Sequence, residues 1–194
     1  MVKTSDVAEV DYKAQELELM VLPLTVDDFC IKKELTALLC DCVDSGASVG
    51  FIGPFSQRES QEYWYGVQAD ITKGTRYLLV ANLSGKLVGS VQLSVSDKAN
   101  GLHRAEIEKL MVHTQARGRG VAKLLMQEAE VLASTLCRSL LVLDTKKGDI
   151  AEGMYSKLGY VKVGEIPGFA LSSSGELDAT VLFYKELVCK DSGL

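Results

Sequence analysis

Between Ala105 and Met126 the chain reads AEIEKLMVHTQARGRGVAKLLM, and this stretch restricts the fold more than any other. Ile107 to Val112 is an apolar run of strand length, and from Val121 the residues Val121, Leu124, Leu125 and Ala129 recur at the helical period. Gln115-Ala116-Arg117-Gly118-Arg119-Gly120 joins the two as a glycine-rich turn that opens a helix. Such a turn is a cradle for phosphate. Glycines let the backbone approach a ligand closely, and the first amides of a helix have no partner within it. The positive end of the helix dipole favours an anion there, and Arg117, Arg119 and Lys123 add cationic charge. Cations at a helix start oppose the dipole, so this cluster expects an anion to compensate it.

Two phosphate motifs are excluded by the next residues. A nucleotide-hydrolase loop ends in Gly-Lys-Ser/Thr, whereas Gly120 is followed by Val121 and Ala122. The dinucleotide fingerprint needs a third glycine where Lys123 stands.

Composition frames the rest. A chain of 194 residues with 47% apolar and 24% charged residues is of a size and make-up for one globular domain with a substantial core. The net charge of −5 argues against non-specific nucleic-acid binding. No apolar run reaches the ~18 residues that would span a bilayer, so no membrane partner is expected. The five cysteines are odd in number and lack a CxxC pair, and there are only two histidines, so no metal site is legible and a reduced, cytoplasmic protein is expected. Residues 1–14 read as a mobile tail without the apolar segment of a secretory signal, and 15–190 as the single domain.

The order of elements follows from patterning. Leu17 to Leu24 is a first strand, Thr25 caps a helix striped by Ile31, Leu35, Leu38, Leu39 and Cys42, and Ser56 caps a second helix running to about Lys73. The connection between them, Ser45 to Pro54, is rich in glycine yet carries Val49, Phe51 and Ile52; it either packs under the domain or lines a pocket. Tyr63-Trp64-Tyr65 is read as core filling or as the wall of that pocket. Arg76 to Asn82, Leu87 to Ser96 and His103 to Val112 form an antiparallel meander. After the cradle helix, Ser139 to Thr145 suits a strand buried on both faces, Asp149 caps a helix that stops at Gly159, and Tyr160 to Glu165 and Thr180 to Glu186 are the last strands. Pro167 to Glu176 reads as their loop. The expected fold is α/β: a mixed, mostly antiparallel central sheet flanked by helices.

Gln-x-x-Gly-x-Gly after a strand, this element order, and Tyr155-Ser-Lys-Leu-Gly159-Tyr160 resemble the GNAT superfamily of acyl-CoA-dependent N-acetyltransferases. Six blocks are similar to the tabtoxin-resistance acetyltransferase group within it: Gly46 to Phe51, Asn100 to Glu106, Lys109 to Val112, Ala116 to Gly120, Leu143 to Thr145 and Val163 to Phe169. The similarity spans roughly Leu38 to Lys185. It implies acetyl-CoA as cosubstrate, no metal, and acetyl transfer to a small amine, such as an amino-acid-like toxin, in a ternary complex. It also implies that Gln115, Arg117, Gly118, Arg119, Gly120 and Val121 hold the CoA diphosphate, while Leu110, Met111 and Val112 offer backbone groups to the pantetheine arm. Asp144 and Asp149 stand where the family often has an asparagine, which leaves any contact from that region open.

The chemistry sets what else is needed. An alkylammonium with a pKa of ~10 has no lone pair, so a base must remove its proton, directly or through water. Glu106 opens the strand leading to the cradle and Asp144 ends its expected neighbour; both resemble the family's base, and Glu108 is a rival of the same parity. Neighbouring carboxylates raise one another's pKa toward the useful range. Tyr155 matches the family's acid beside the CoA sulfur. Cys137 has no legible partner, so a covalent acetyl-enzyme is not expected. A protein or polyamine acetyltransferase and a non-catalytic acyl-CoA-binding domain are the competing readings, and homodimerisation is left open.

Overall fold

The computed structural model describes residues 17–22 and 29–188. The expected tail at 1–14 and the Thr25 cap lie outside the described residues, as does the side chain of Ile31. The elements run β1 (Leu17–Leu22), α1 (Phe29–Asp44), α2 (Gln57–Thr72), β2 (Arg76–Leu83), β3 (Lys86–Val95), β4 (Arg104–Val112), α3 (Val121–Thr135), β5 (Leu140–Lys146), α4 (Ile150–Lys157), β6 (Val161–Leu171) and β7 (Leu177–Glu186). A single 3-10 turn, Thr114–Ala116, leads from β4 toward α3.

All seven strands join one sheet in the order β1-β2-β3-β4-β5-β7-β6. Every neighbouring pair is antiparallel except β4 and β5, which run parallel. The architecture is therefore mixed α/β with a mostly antiparallel sheet flanked by helices, as the patterning implied. Helix starts are spelled locally: Ser56 and Glu59 form a reciprocal capping box on α2, and the Asp149 carboxylate accepts from the Ala151 amide on α4.

Strand alternation sorts side chains onto two faces. Leu79, Ala81, Val91, Leu93, Ala105, Ile107, Leu141, Leu143, Val181 and Phe183 bury against α3 and α4. Leu78, Val80 and Leu87 bury instead with Leu35, Leu38, Leu39 and Cys42 of α1 and Trp64 and Val67 of α2. Leu125 and Met126 of α3 are fully buried, each worth roughly 1.5–3 kcal/mol relative to exposure. A Cβ on Gly89 of β3 would stand 2.9 Å from Val121 and 3.1 Å from Leu125, so this glycine lets the start of α3 sit directly on the sheet.

Two departures from the expected layout matter. In β4, Gln92 pairs with Glu108 but Ser90 pairs with Met111, so one extra residue is inserted, and Lys109 there has φ of +50°. This bulge reverses the alternation. Met111 joins the α1/α2 core, while Leu110 and Val112 pack toward α3. Secondly, β6 continues to Leu171, through the Pro167-Gly168 segment read from sequence as loop. β6 is an edge strand, where the N–H that proline lacks need not pair.

Candidate active site

Strands β4 and β5 pair only at Arg104↔Leu140, Ala105↔Leu141 and Glu106↔Val142, and then part. The backbone edge of β4 from Ile107 to Val112 therefore has no partner in β5. At its far end the chain turns through Gly118 (φ +76°) and Gly120 (φ +82°) into α3. Gly120 is the N-cap residue and no side chain caps the helix. A Cβ at either glycine would meet nothing within 4 Å. Among the described residues no side chain caps the first amides of α3, and the two glycines leave the space beside the turn clear of side chains.

The structure divides the expected cradle cations. Arg117 donates through Nη2 to Ser45 Oγ (2.7 Å) and through Nε to the Val112 carbonyl (3.1 Å), which ties it to the end of α1. Lys123 is exposed in the first turn of α3. The Gln115 amide donates to His113 Nδ1 at 3.3 Å, and Val121 is buried against the sheet.

The candidate acids gather where the sheet opens. Glu106 and Glu108, two residues apart ahead of the bulge, both point to the α1/α2 face, as does Asp144 by the parity of β5. Burial is the main force raising the Glu106 pKa, helped by the nearby carboxylates of Glu108 and Asp144 and opposed by Arg104 and Arg76. Glu108 is committed: its Oε2 lies 2.8 Å from Arg76 Nη1. Asp144 Oδ2 lies 2.7 Å from the buried Thr180 hydroxyl, which is also 2.8 Å from the Thr145 carbonyl and has one proton between them. Glu106 has no such partner among the described residues.

Tyr155 approaches from the other face. Its ring sits in the α3/α4 core, 5.9 Å from the Tyr160 ring and 5.8 Å from that of Phe183. Burial chiefly, then the charges of Asp149 and Asp144, push its phenol well above the ordinary range. Asp144 is a lesser cause, after burial, of the raised pKa of both Glu106 and Tyr155.

Sequence reasoning missed a polar network beside these acids. Arg76 also donates to Gln92 Oε1 (2.5 Å), and its Nε stands 3.5 Å from Asp70 Oδ2. The fully buried Gln92 amide exchanges hydrogen bonds with the Tyr63 hydroxyl, at 2.8 Å from Nε2 and 3.1 Å from Oε1. Burial pushes the Tyr63 phenol up to about 12, with the Gln92 bond pulling the other way. The available signal was strand parity, since Arg76 and Gln92 occupy inward positions of apolar strands. The aromatic triplet splits three ways: Trp64 is core, Tyr65 is exposed, and Tyr63 stacks edge-on against Phe51 (5.2 Å) and Trp64 (5.1 Å).

An open cleft of about 460 Å³ lies between the α1–α2 connection and the β6–β7 hairpin; Glu106, Asp144 and Tyr155 are not among the residues that line it. Gly46 to Ser48 and Gly50 to Ile52 supply one wall and Ala170 to Ser174 the other, and Lys146 and Asp178 also line it. Lys146 Nζ stands 2.5 Å from Asp178 Oδ2. Lys109, aimed by the bulge, places its ammonium 6.0 Å from the centre of the Phe51 ring.

Solved structures share this architecture. A ribosomal-protein-alanine N-acetyltransferase from Brucella melitensis is 18% identical, with a TM-score of 0.69 over 81% of this chain and 95% of that one. A proposed phosphinothricin N-acetyltransferase is 19% identical, with a TM-score of 0.72 over 89% of this chain and 99% of that one. The proposed acetyltransferase yncA from Salmonella typhimurium, solved with its cofactor acetyl-CoA, is 13% identical, with a TM-score of 0.72 over 91% and 96%. At such identities the likeness concerns the fold. The profile of the acetyltransferase (GNAT) family matches residues 30–160, which cover α1 to α4 and include the cradle, the acids and Tyr155, and the chain belongs to that family.

Proposed function

We propose that the protein is an acetyl-CoA-dependent N-acetyltransferase that acetylates the amine of a small molecule by direct attack in a ternary complex. The observation that carries this reading is the parting of β4 from β5 beside an uncapped, glycine-built helix start. A linear cosubstrate with a diphosphate at one end and an acyl thioester at the other fits such a slot. The amides of Gly118, Arg119, Gly120 and Val121 would hold the diphosphate, and the part of β4 that β5 leaves, at Leu110, Met111 and Val112, would take the amide-bearing arm, with the Val112 carbonyl engaged by Arg117. When bound, the cosubstrate supplies an activated acetyl group.

The chain's own residues supply the proton chemistry. Glu106 is the base: of the three acids it alone has no cation or hydroxyl bound to it among the described residues, and its raised pKa makes it a better proton acceptor. Asp144, held by Thr180, helps raise the pKa of both Glu106 and the phenol. Tyr155 stays protonated across neutral pH and is the acid that returns a proton to the leaving thiolate. Arg76 removes Glu108 from the competition by pairing with it.

A volume of about 460 Å³ lies in the range of small-molecule pockets, which supports a small acceptor over a protein tail. The resemblance to the tabtoxin-resistance group supports an amino-acid-like one. The test is acetyl-CoA thioester consumption with and without a panel of amino acids, polyamines and peptide N-termini. Turnover with small amino acids is expected. Acetyl-CoA binding without turnover on any amine would leave a non-catalytic acyl-CoA-binding domain, and preference for peptides would favour a protein acceptor.

A further inference from the structure

The cradle and the acceptor cleft belong to different parts of the chain, yet side chains stitch one to the other. Asp41, in the last turn of α1, accepts from the Thr114 amide on Oδ2 and from the Thr114 hydroxyl on Oδ1, both at 2.8 Å. Ser45, just past that helix, accepts from Arg117 at 2.7 Å. Thr114 and Arg117 flank the turn leading into the cradle, 73 and 72 positions from their partners. The chain beyond Ser45 is in turn the wall of the cleft. Backbone bonds from Ser45 to Asp41, Gly46 to Val43 and Ala47 to Cys42 make the wall's first residues a continuation of α1. Its tip, Phe51, leans on Tyr63, which leans on Trp64.

We propose that Asp41, Ser45 and Arg117 are positioning residues that form a strap, through which occupation of the cradle stiffens the acceptor wall. The inference rests on the cradle assignment above. The bonds involved join charged to polar groups, the stronger class of hydrogen bond. The turn they hold contains two glycines at positive φ, the conformation with most backbone freedom to lose. An anion that orders this turn removes the freedom at the strap's lower end. The upper end, the Gly46 to Ile52 wall, then loses freedom with it, a coupling carried by order and not by displacement. Arg117 is thereby reassigned: its guanidinium serves the strap, and its place in the cradle is through the backbone.

The test uses the full chain with CoA as the probe, which needs no knowledge of the acceptor. Hydrogen–deuterium exchange is followed in segments covering 46–55, CoA affinity is measured by calorimetry, and the emission of Trp64, the chain's one tryptophan, gives a second readout. In the parent, saturating CoA should slow exchange of the wall at least about fivefold, the lower end of typical coupling between sites. In the Asp41→Asn/Ser45→Ala variant, CoA should bind within about fivefold of the parent while the slowing falls below about twofold. Ser45→Thr, which keeps a hydroxyl, should retain the coupling, and Ser45→Ala alone should weaken it. Undiminished slowing in the double variant, or CoA binding to the parent with no slowing, overturns the strap while leaving the cradle intact. Failure of the parent to bind CoA overturns the cradle, and the strap with it.

Discussion

Glu106 and Glu108 sit two residues apart on the same face of one strand, and their neighbours give them different surroundings. Arg76 holds Glu108 as an ion pair on a partly covered surface, whereas Glu106 faces carboxylates and reaches solvent at the opening. A base must be ionised to act, so the rate should fall as pH drops through the raised Glu106 pKa. Glu106→Gln should lower kcat by about 10²–10⁴-fold and remove that limb of the pH–rate profile. The same shift predicts a stability effect of opposite sense. The folded pKa lies above the unfolded one, so the linked stability is complete below the unfolded carboxylate pKa and is lost as pH rises through the folded value. Glu106→Gln should therefore melt at a higher temperature than the parent at pH 7, with the gap closing on acidification into the ordinary carboxylate range. Thermal melts across pH check this, and a less stable variant at neutral pH would contradict it. Tyr155→Phe should reduce kcat about 10²-fold or more while CoA affinity changes less than about threefold. An unaltered rate would remove the phenol as the acid.

At the level of elements, the turn into α3 and the bulge in β4 build the site between them, and they differ in how they show in sequence. The turn was legible because glycine is the residue positive φ requires, and Gly118 and Gly120 mark it. Gly120→Asp should weaken CoA binding at least about 100-fold, since its carboxylate would stand where a diphosphate belongs; unchanged affinity would contradict the phosphate assignment. The bulge was not legible. Its left-handed residue is Lys109, and nothing in Glu-Ile-Glu-Lys-Leu-Met-Val announces that the alternation reverses there. Without it Met111 would face α3 with Ile107, and Leu110 and Val112 would turn to the α1/α2 core in its place. A β-branched residue tolerates positive φ worst, so Lys109→Val should destabilise the fold by about 1–2 kcal/mol, whereas Lys109→Gly should change stability by less than about 1 kcal/mol. Urea unfolding measures both. The β6 strand escaped for a different reason: proline and glycine argue for loop only where both edges of a strand must pair, and β6 lies on the rim of the sheet.

Over the whole molecule, the site draws on contacts that local pattern does not encode. Seven strands and four helices could be placed by period and caps, and the acids could be assigned a common face by counting parity. The Arg76–Glu108 pair spans 32 positions, the Thr180–Asp144 bond 36, and the Arg117–Ser45 bond 72, distances at which a single sequence gives no pairing signal. Such contacts pair Glu108 and Asp144 with side-chain partners, and they join the segment after α1 to the turn before α3. The cleft is likewise a product of assembly, with one wall from the first third of the chain and the other from the β6–β7 hairpin read as loop. Among the described residues its β6 wall makes no hydrogen bond with the strap that ties the other wall to the cradle turn, so a change there tests the cleft by itself. Ala170→Trp places an indole on the β6 wall, away from Gly118 and Gly120 and on a strand at the far edge of the sheet. The amine KM should rise at least about tenfold while CoA affinity stays within about twofold, the reverse of the Gly120→Asp pattern. Isothermal titration with CoA and steady-state kinetics on the same variant check both halves. An amine KM unchanged by the filled cleft would mean that the acceptor enters elsewhere.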